Sequence, residues 1–315
     1  MPTNLNDVLA SVLPILALIA LGMLLRRTGV LDEPTVAGLK RLIVNVSLPA
    51  VLFTTFLRTE FQPAHVWLVL IVFAVCVALY WLGRLLLRAR GGSAYVPFLF
   101  TGFELGMIGF ALFTAVYGLD RLPALGVLAL GHEVFIWFVF VTLLRSAAAR
   151  RQTAAQTVRS LATSPTILAI LIGLALNLGG VGPLLGRGPL GGALTATLGY
   201  LAAVIVPLIL LIVGYGSRLT VDGVRSALPL VLLRTVVTLA LALLIGRLVF
   251  DGLLGLEPIY SHALFTLMVL PPPFVVPLFI PAARRDDLAY VNNVLSLSSL
   301  VSVAVFVGYV LLTGA

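Results

Sequence analysis

Apolar positions in this chain do not alternate with polar ones at the period of a surface helix or a half-buried strand. They come in runs of about 20 residues, separated by short polar, Gly or Pro punctuation, from Leu9 almost to the C-terminus. Such runs predict bilayer-spanning helices, near 9–25, 36–57, 65–87, 95–117, 122–144, 165–183, 193–217, 227–250, 258–281 and 290–313. The first run has no basic residue before it and Arg26 and Arg27 after it, the reverse of a cleavable signal peptide, so it is expected to remain as span 1.

Composition sharpens this picture. The 315 residues are 61% hydrophobic and 10% charged, with a mean hydropathy of +1.15, whereas a soluble domain carries roughly 25% charged residues. An ordinary soluble enzyme is excluded. Ten spans use roughly 220 positions, which leaves no folded extramembrane domain in the longest loop, Arg145–Ser164. The single cysteine, Cys76, lies in an apolar run and rules out an intrachain disulfide.

The net charge of +8 comes without a basic stripe interleaved with aromatics, so no nucleic-acid partner is expected. Fifteen Lys and Arg fall at one set of alternating span ends and four at the other, with Arg234 left inside span 8. By the positive-inside rule both termini are expected outside and the long central loop in the cytoplasm, in a plasma or inner membrane. Arg234 could be the counter-charge for an organic anion; it lies about 10 Å of helical rise from a span end, within reach of snorkelling, and a snorkelling or structural salt-bridge role is expected over substrate binding. His65 and His262 are expected at the interface, and Trp67, Trp81 and Trp137 at interface or packing positions.

An internal repeat is visible. Span 1 carries Pro14-Ile-Leu-Ala-Leu-Ile-Ala-Leu-Gly22 and span 6 carries Pro165-Thr-Ile-Leu-Ala-Ile-Leu-Ile-Gly173, each Pro, seven residues, Gly. Spans 2 and 7 carry Pro49-Ala-Val-Leu52 and Pro207-Leu-Ile-Leu210 in corresponding places. Five spans per half is an odd number, so the second half is expected to run upside down relative to the first. The predicted fold is an all-α polytopic membrane protein of two inverted five-helix repeats, 1–145 and 165–315, joined by a basic cytoplasmic linker, 146–164.

Inverted repeats of this kind place a substrate site between broken helices near mid-membrane. The corresponding fourth spans are both hostile to helix: span 4 has Gly102-Phe-Glu104-Leu-Gly106-Met-Ile-Gly109, and span 9 has Pro271-Pro272-Pro273-Phe-Val-Val-Pro277. Three consecutive prolines remove three backbone donors and clash with the preceding turn, so span 9 is expected to break there. For Gly102 and Gly106 a small-residue packing face is the alternative.

With Leu48-Pro49-Ala50-Val51-Leu52-Phe53, the glycine-rich span 4, Leu270-Pro271-Pro272 and the 5+5 repeat, the chain resembles the auxin efflux carrier family over essentially its whole length. The resemblance implies that spans 4 and 9 unwind and cross, and that a transport domain bearing the crossing moves against a scaffold in elevator fashion, commonly within a homodimer. Relatives have a pattern like N-x-G-x-x-G-x-P in span 4. Here it reads Glu104-Leu-Gly106-Met-Ile-Gly109-Phe-Ala111, with Glu where the family has a substrate-contacting amide and Ala where it has Pro. His132 stands in a region where relatives often show Gln.

Glu104 and Glu133 are the carboxylates within spans, and an ionised group at that depth needs a partner or solvation, so both are candidates to bind a coupling proton or Na⁺. A protonated or purely structural carboxyl is the alternative for each. His132 and Glu133 are about 100° apart on a helix and need not act together. In span 10, Asn292, Ser296 and Ser299 follow i, i+4, i+7 beside Asn293, and line one face that either hydrogen-bonds other helices or surrounds substrate. Asn45 and Ser47, ahead of Pro49, are the matching candidates in the first half, with a capped kink as the alternative.

The expected substrate site comprises Glu104, Gly106, Gly109, His132, Pro271, Pro272, Pro273, Asn292, Asn293, Asn45 and Ser47. The expected activity is secondary transport of a small organic anion, with no cofactor and no enzymatic reaction, since no nucleotide loop, Cys/His metal spacing or nucleophile motif is present. A cation/proton exchanger and a ligand-binding membrane sensor are the rival readings.

Overall fold

A computed structural model describes residues 5–58, 63–147, 165–181, 188–216, 221–281 and 283–313, all helix and connecting loop with no strand among them. Most of the predicted linker, 146–164, lies outside the described residues. The helices are α1 (Leu5–Arg27), α2 (Glu33–Leu42), α3 (Leu48–Arg58), α4 (Ala64–Arg90), α5 (Val96–Phe100), α6 (Phe110–Tyr117), α7 (Leu122–Val134) and α8 (Val141–Ala147). There follow α9 (Pro165–Leu178), α10 (Gly188–Ala203), α11 (Ile205–Gly216), α12 (Val221–Ile245), α13 (Pro258–Val269) and α14 (Arg285–Thr313). Among the described residues six continuous stretches are long and apolar enough to cross a bilayer: Glu33–Leu57, His65–Ala89, Leu119–Leu144, Gly188–Gly216, Val221–Leu253 and Arg285–Thr313. The chain is thus built as a helical membrane protein.

Local chemistry explains where these helices start and bend. Asp32 caps α2, accepting from Thr35 N at 2.8 Å, and hydrogen bonds from Thr35 hold its carboxyl below the usual carboxylate range. Pro49 has no N–H to give to Asn45 four residues back. The backbone accommodates it with a π turn over Ile43–Ser47, where Leu48 N reaches Ile43 O, and α2 runs on into α3 without a break. The last helix begins at Arg285, five residues earlier than the hydropathy indicates, because Asp286 and Asp287 sit favourably in the first turn against the helix dipole.

The helices pack in two groups. In the first, α1 lies along α11 and α3 along α9, with α10 also against α3. Backbones meet closely here: a Cβ on Gly22 would collide with the carbonyl of Leu211, one on Gly214 with that of Ile19, and one on Gly173 would come 2.7 Å from Phe53 O. Asn177 Nδ2 donates to Phe56 O at 2.8 Å on the α3–α9 seam, and Arg26 Nη1 donates to Tyr215 O at 2.7 Å on the α1–α11 seam. In the second group α4 packs on α5 and α7, and α12 packs on α13 and α14. The short α6 bridges the groups, touching α1 and α11, and α3 also meets α7.

Candidate functional site

Two of the predicted spans are interrupted where glycine and proline demanded it. After α5 the backbone leaves helix at Thr101, passes through Gly102 at φ +68°, and resumes helical turns only at Leu105. That φ suits glycine alone, and a Cβ there would sit 2.8 Å from Pro273 Cγ and 3.0 Å from Ile136 Cδ1. After α13 the chain turns extended at Leu270, ψ 151°, runs through Pro271, Pro272 and Pro273, and re-forms one 3₁₀ turn at Val276–Phe279.

The two extended segments, each a strand only in being unwound, meet and bond to each other at a junction termed the crossing. Glu104 N donates to Pro271 O at 2.8 Å, and Phe274 N, the first backbone donor after the three prolines, donates to Glu104 Oε2 at 2.6 Å. The Glu104 carboxyl therefore accepts the first backbone N–H that follows the three prolines, just ahead of the 3₁₀ turn at Val276–Phe279. Gly109, at the start of α6, passes so close to the second strand that a Cβ would meet Leu270 Cδ1 at 2.6 Å, while Gly106 faces Leu48 Cδ2 at 3.2 Å.

Arg234 overturns the snorkelling expectation. It is 3% exposed, and its guanidinium holds both strands: Nη1 donates to Leu270 O at 2.7 Å and Nη2 to Gly102 O at 2.9 Å. The ring of Phe103 lies under it, 5.2 Å from Cζ to centroid. Each carbonyl lost its helical N–H partner when the backbone unwound, and Arg234 replaces both. The crossing thus holds one guanidinium, on the carbonyls of Leu270 and Gly102, and the carboxyl of Glu104, on the N–H of Phe274.

His132 is the third member. Its Nε2 accepts from Phe103 N at 2.9 Å, so that nitrogen carries no proton and the ring is neutral with its hydrogen on Nδ1. Nδ1 then donates to Glu133 Oε1 at 3.3 Å, and Trp137 Nε1 donates to Glu133 Oε2 at 2.9 Å. The two neighbours touch although they stand about 100° apart on the helix.

Placement of the remaining candidates is mixed. Asn45 is exposed and bonds Arg41 O of its own helix, and Ser47 is buried with no partner for Oγ. Asn292 is exposed, Asn293 packs against Gly223 of α12, Ser296 is half-buried, and Ser299 donates to Leu295 O. None of these is bonded to either crossing strand. Ser302 comes next to one: its Oγ donates at 2.6 Å to the carbonyl of Val269, the last residue of α13 before the second segment. Thr101 Oγ1 meanwhile ties the first strand to Cys76 O at 2.5 Å. Ser302 belongs to the stripe of Val291, Val294, Ser298 and Ser302, which the buried apolar positions trace along α14 and the Asn292 register does not. His65, expected at the interface, is buried and bonded to Tyr260 Oη at 2.8 Å. Trp67 and Trp81 are exposed on α4.

No protein-family model and no curated protein matches this chain. No cluster of three or more His, Cys, Asp or Glu able to hold a metal ion exists among the described residues. The chemistry the crossing offers is a carboxyl on the first N–H after the prolines, a guanidinium joining the two unwound segments, and an imidazole accepting from Phe103 N.

Proposed function

We propose that this protein is a secondary carrier of a small organic anion, with the crossing of spans 4 and 9 as its substrate site and a proton on Glu104 as the coupling ion. The observation that carries the reading is the bond from Phe274 N to Glu104 Oε2 within two interrupted helices. An internal carboxylate sits where a substrate carboxylate would bind. Protonation of Glu104 weakens its hold on Phe274 N and removes a negative charge from the crossing, so one anion enters as one proton is taken up.

The 5+5 inverted arrangement, ten spans and the auxin efflux carrier likeness belong to the same proposal. Gly22 and Gly173 end the two Pro-x₇-Gly segments, and each presses on the second span of the other half, Leu211 and Phe53 respectively. That exchange of partners is what a two-fold related pair of repeats requires. The group of α1, α3, α9, α10 and α11 then serves as scaffold, and the group that bears the crossing moves.

Counterflow in proteoliposomes tests the reading: malate, malonate and an indole acid are each loaded unlabelled inside and offered labelled outside. Accumulation of one class is expected, and it should rise as pH falls across the titration of Glu104. In Glu104→Gln, which keeps an acceptor for Phe274 N but cannot titrate, exchange should persist with its pH dependence flattened. Wild-type pH dependence in that variant defeats the coupling role. A carboxylate inside the crossing also favours a second reading, cation/proton exchange, which predicts cation flux with no organic substrate present. Binding without exchange would mark a sensor.

A further inference from the structure

A cleft of about 230 Å³ opens at the Arg-rich end of the molecule, and Pro97 and Phe98 in its wall precede the crossing by about one helical turn. Its walls are the last turns of α4, the approach to α5 and the end of α8. Arg84 and Arg88 stand four residues apart on α4 and so share one helical face, and both line the cleft. Tyr80 and Ser146 also line the space, Ser146 with its Oγ on Thr142 O at 3.1 Å, and Pro97 and Phe98 add apolar surface. Neither arginine has a carboxylate partner among the described residues. Arg84 is held over the Trp81 ring at 5.9 Å. Asp287, which reaches the start of α5 from α14, is already taken by Ser93 Oγ at 2.6 Å.

We infer that this cleft is a binding site for a phosphoryl group, gripped by Arg84 and Arg88. Two unpaired guanidiniums on one face present planar forks that match phosphate oxygens two at a time. Walls of proline and phenylalanine lower the local dielectric and strengthen that attraction. The surroundings point to the source: Trp81, Leu82 and Leu85 are 55%, 41% and 57% exposed on the adjoining face of α4. An apolar stripe carrying a tryptophan beside two arginines is the setting of a lipid headgroup at the membrane surface, and basic pockets between helices on the positively charged side take anionic headgroups. The cleft has room for a headgroup phosphate and not for the acyl chains, which the stripe beside it would meet.

The experiment is thermal unfolding of the purified full-length protein in detergent, with dioleoylphosphatidylglycerol, dioleoylphosphatidylcholine or inorganic phosphate added. Phosphatidylglycerol at a hundredfold excess over its Kd should raise the midpoint by about 5 °C relative to phosphatidylcholine. The rise should vanish in Arg84→Gln/Arg88→Gln, return in the double lysine variant at reduced size, and persist in Arg225→Gln, which removes an exposed charge from α12. Arg88→Gln alone, at an exposed side chain, supplies the same comparison if the double variant does not fold, and should lose part of the rise. If inorganic phosphate alone gives a rise with the same dependence on Arg84 and Arg88, the site stands and its ligand is a soluble phosphate compound. A rise unaffected by the arginine substitutions, one lost equally in Arg225→Gln, or none in the wild type overturns the proposal.

Discussion

Arg234 places a permanent charge in a span because two carbonyls need it there. Removing it in Arg234→Leu leaves Leu270 O and Gly102 O bare in a buried site, at about 1–3 kcal/mol for each unsatisfied group. Its melting midpoint should therefore fall well below that of the wild type in detergent. Arg234→Lys keeps the charge but replaces a fork with a point donor, so its midpoint should lie between the two. Equal midpoints for Arg234→Leu and wild type would show that the crossing does not depend on this side chain. The sequence alone makes Arg234 look like an interfacial residue, since a lone arginine near a span end has nothing local to mark its partners. Those partners are 36 and 132 residues away. Glu104 was legible because it sits among the glycines that break its own span. Asn292 was misleading because a polar stripe states that some face is polar, and not which way that face turns.

At the level of helices, the breaks were readable and the pairings only partly so. Proline and glycine act on their own turn, which is why the interruptions at Gly102 and at Pro271–Pro273 fall where the residues stand. The π turn before Pro49 follows from the same missing donor. Which helix lies on which is decided by surfaces that a single strand of sequence does not display, except where glycines report close approach. Gly22 and Gly173 do report it. Gly22→Val should drive α1 off α11 and Gly173→Val should drive α9 off α3, since each added side chain meets backbone that no rotamer change can clear. Both variants should lose stability by comparable amounts, about 1–3 kcal/mol or more, read as loss of the monodisperse peak in size-exclusion and a lower midpoint. Loss in one and not the other would argue against equivalent roles for the two seams.

Over the whole molecule, charge bias gives an expected orientation and packing leaves a gap between the helix groups. Between the two helix groups lies a space of about 180 Å³, bordered by Val51 and Val206 on one side and Phe110, Thr114 and Leu122 on the other. An alternating-access cycle would slide one group past the other across it. Membrane sidedness is open to a direct test, because the native Cys76 is buried and should stay silent to a membrane-impermeant maleimide. Arg27 and Arg121 are both exposed and fall at opposite ends by the count of basic residues. In intact cells the Arg121→Cys variant should label from outside and the Arg27→Cys variant only after permeabilisation; the reverse pattern would invert the topology.

The long reach of Arg234 also sets an order of manufacture. Gly102 leaves the ribosome well over a hundred residues before the side chain that will satisfy its carbonyl, and N-terminal segments are made at about 5–20 residues per second. For those seconds the first crossing strand waits in the bilayer with an open acceptor, and only when α12 and then α13 arrive can the knot be tied. A half-length fragment ending before Arg234 should thus be a poor survivor in the cell, cleared by quality control, while the second half supplied as a separate chain should rescue it by bringing the missing guanidinium.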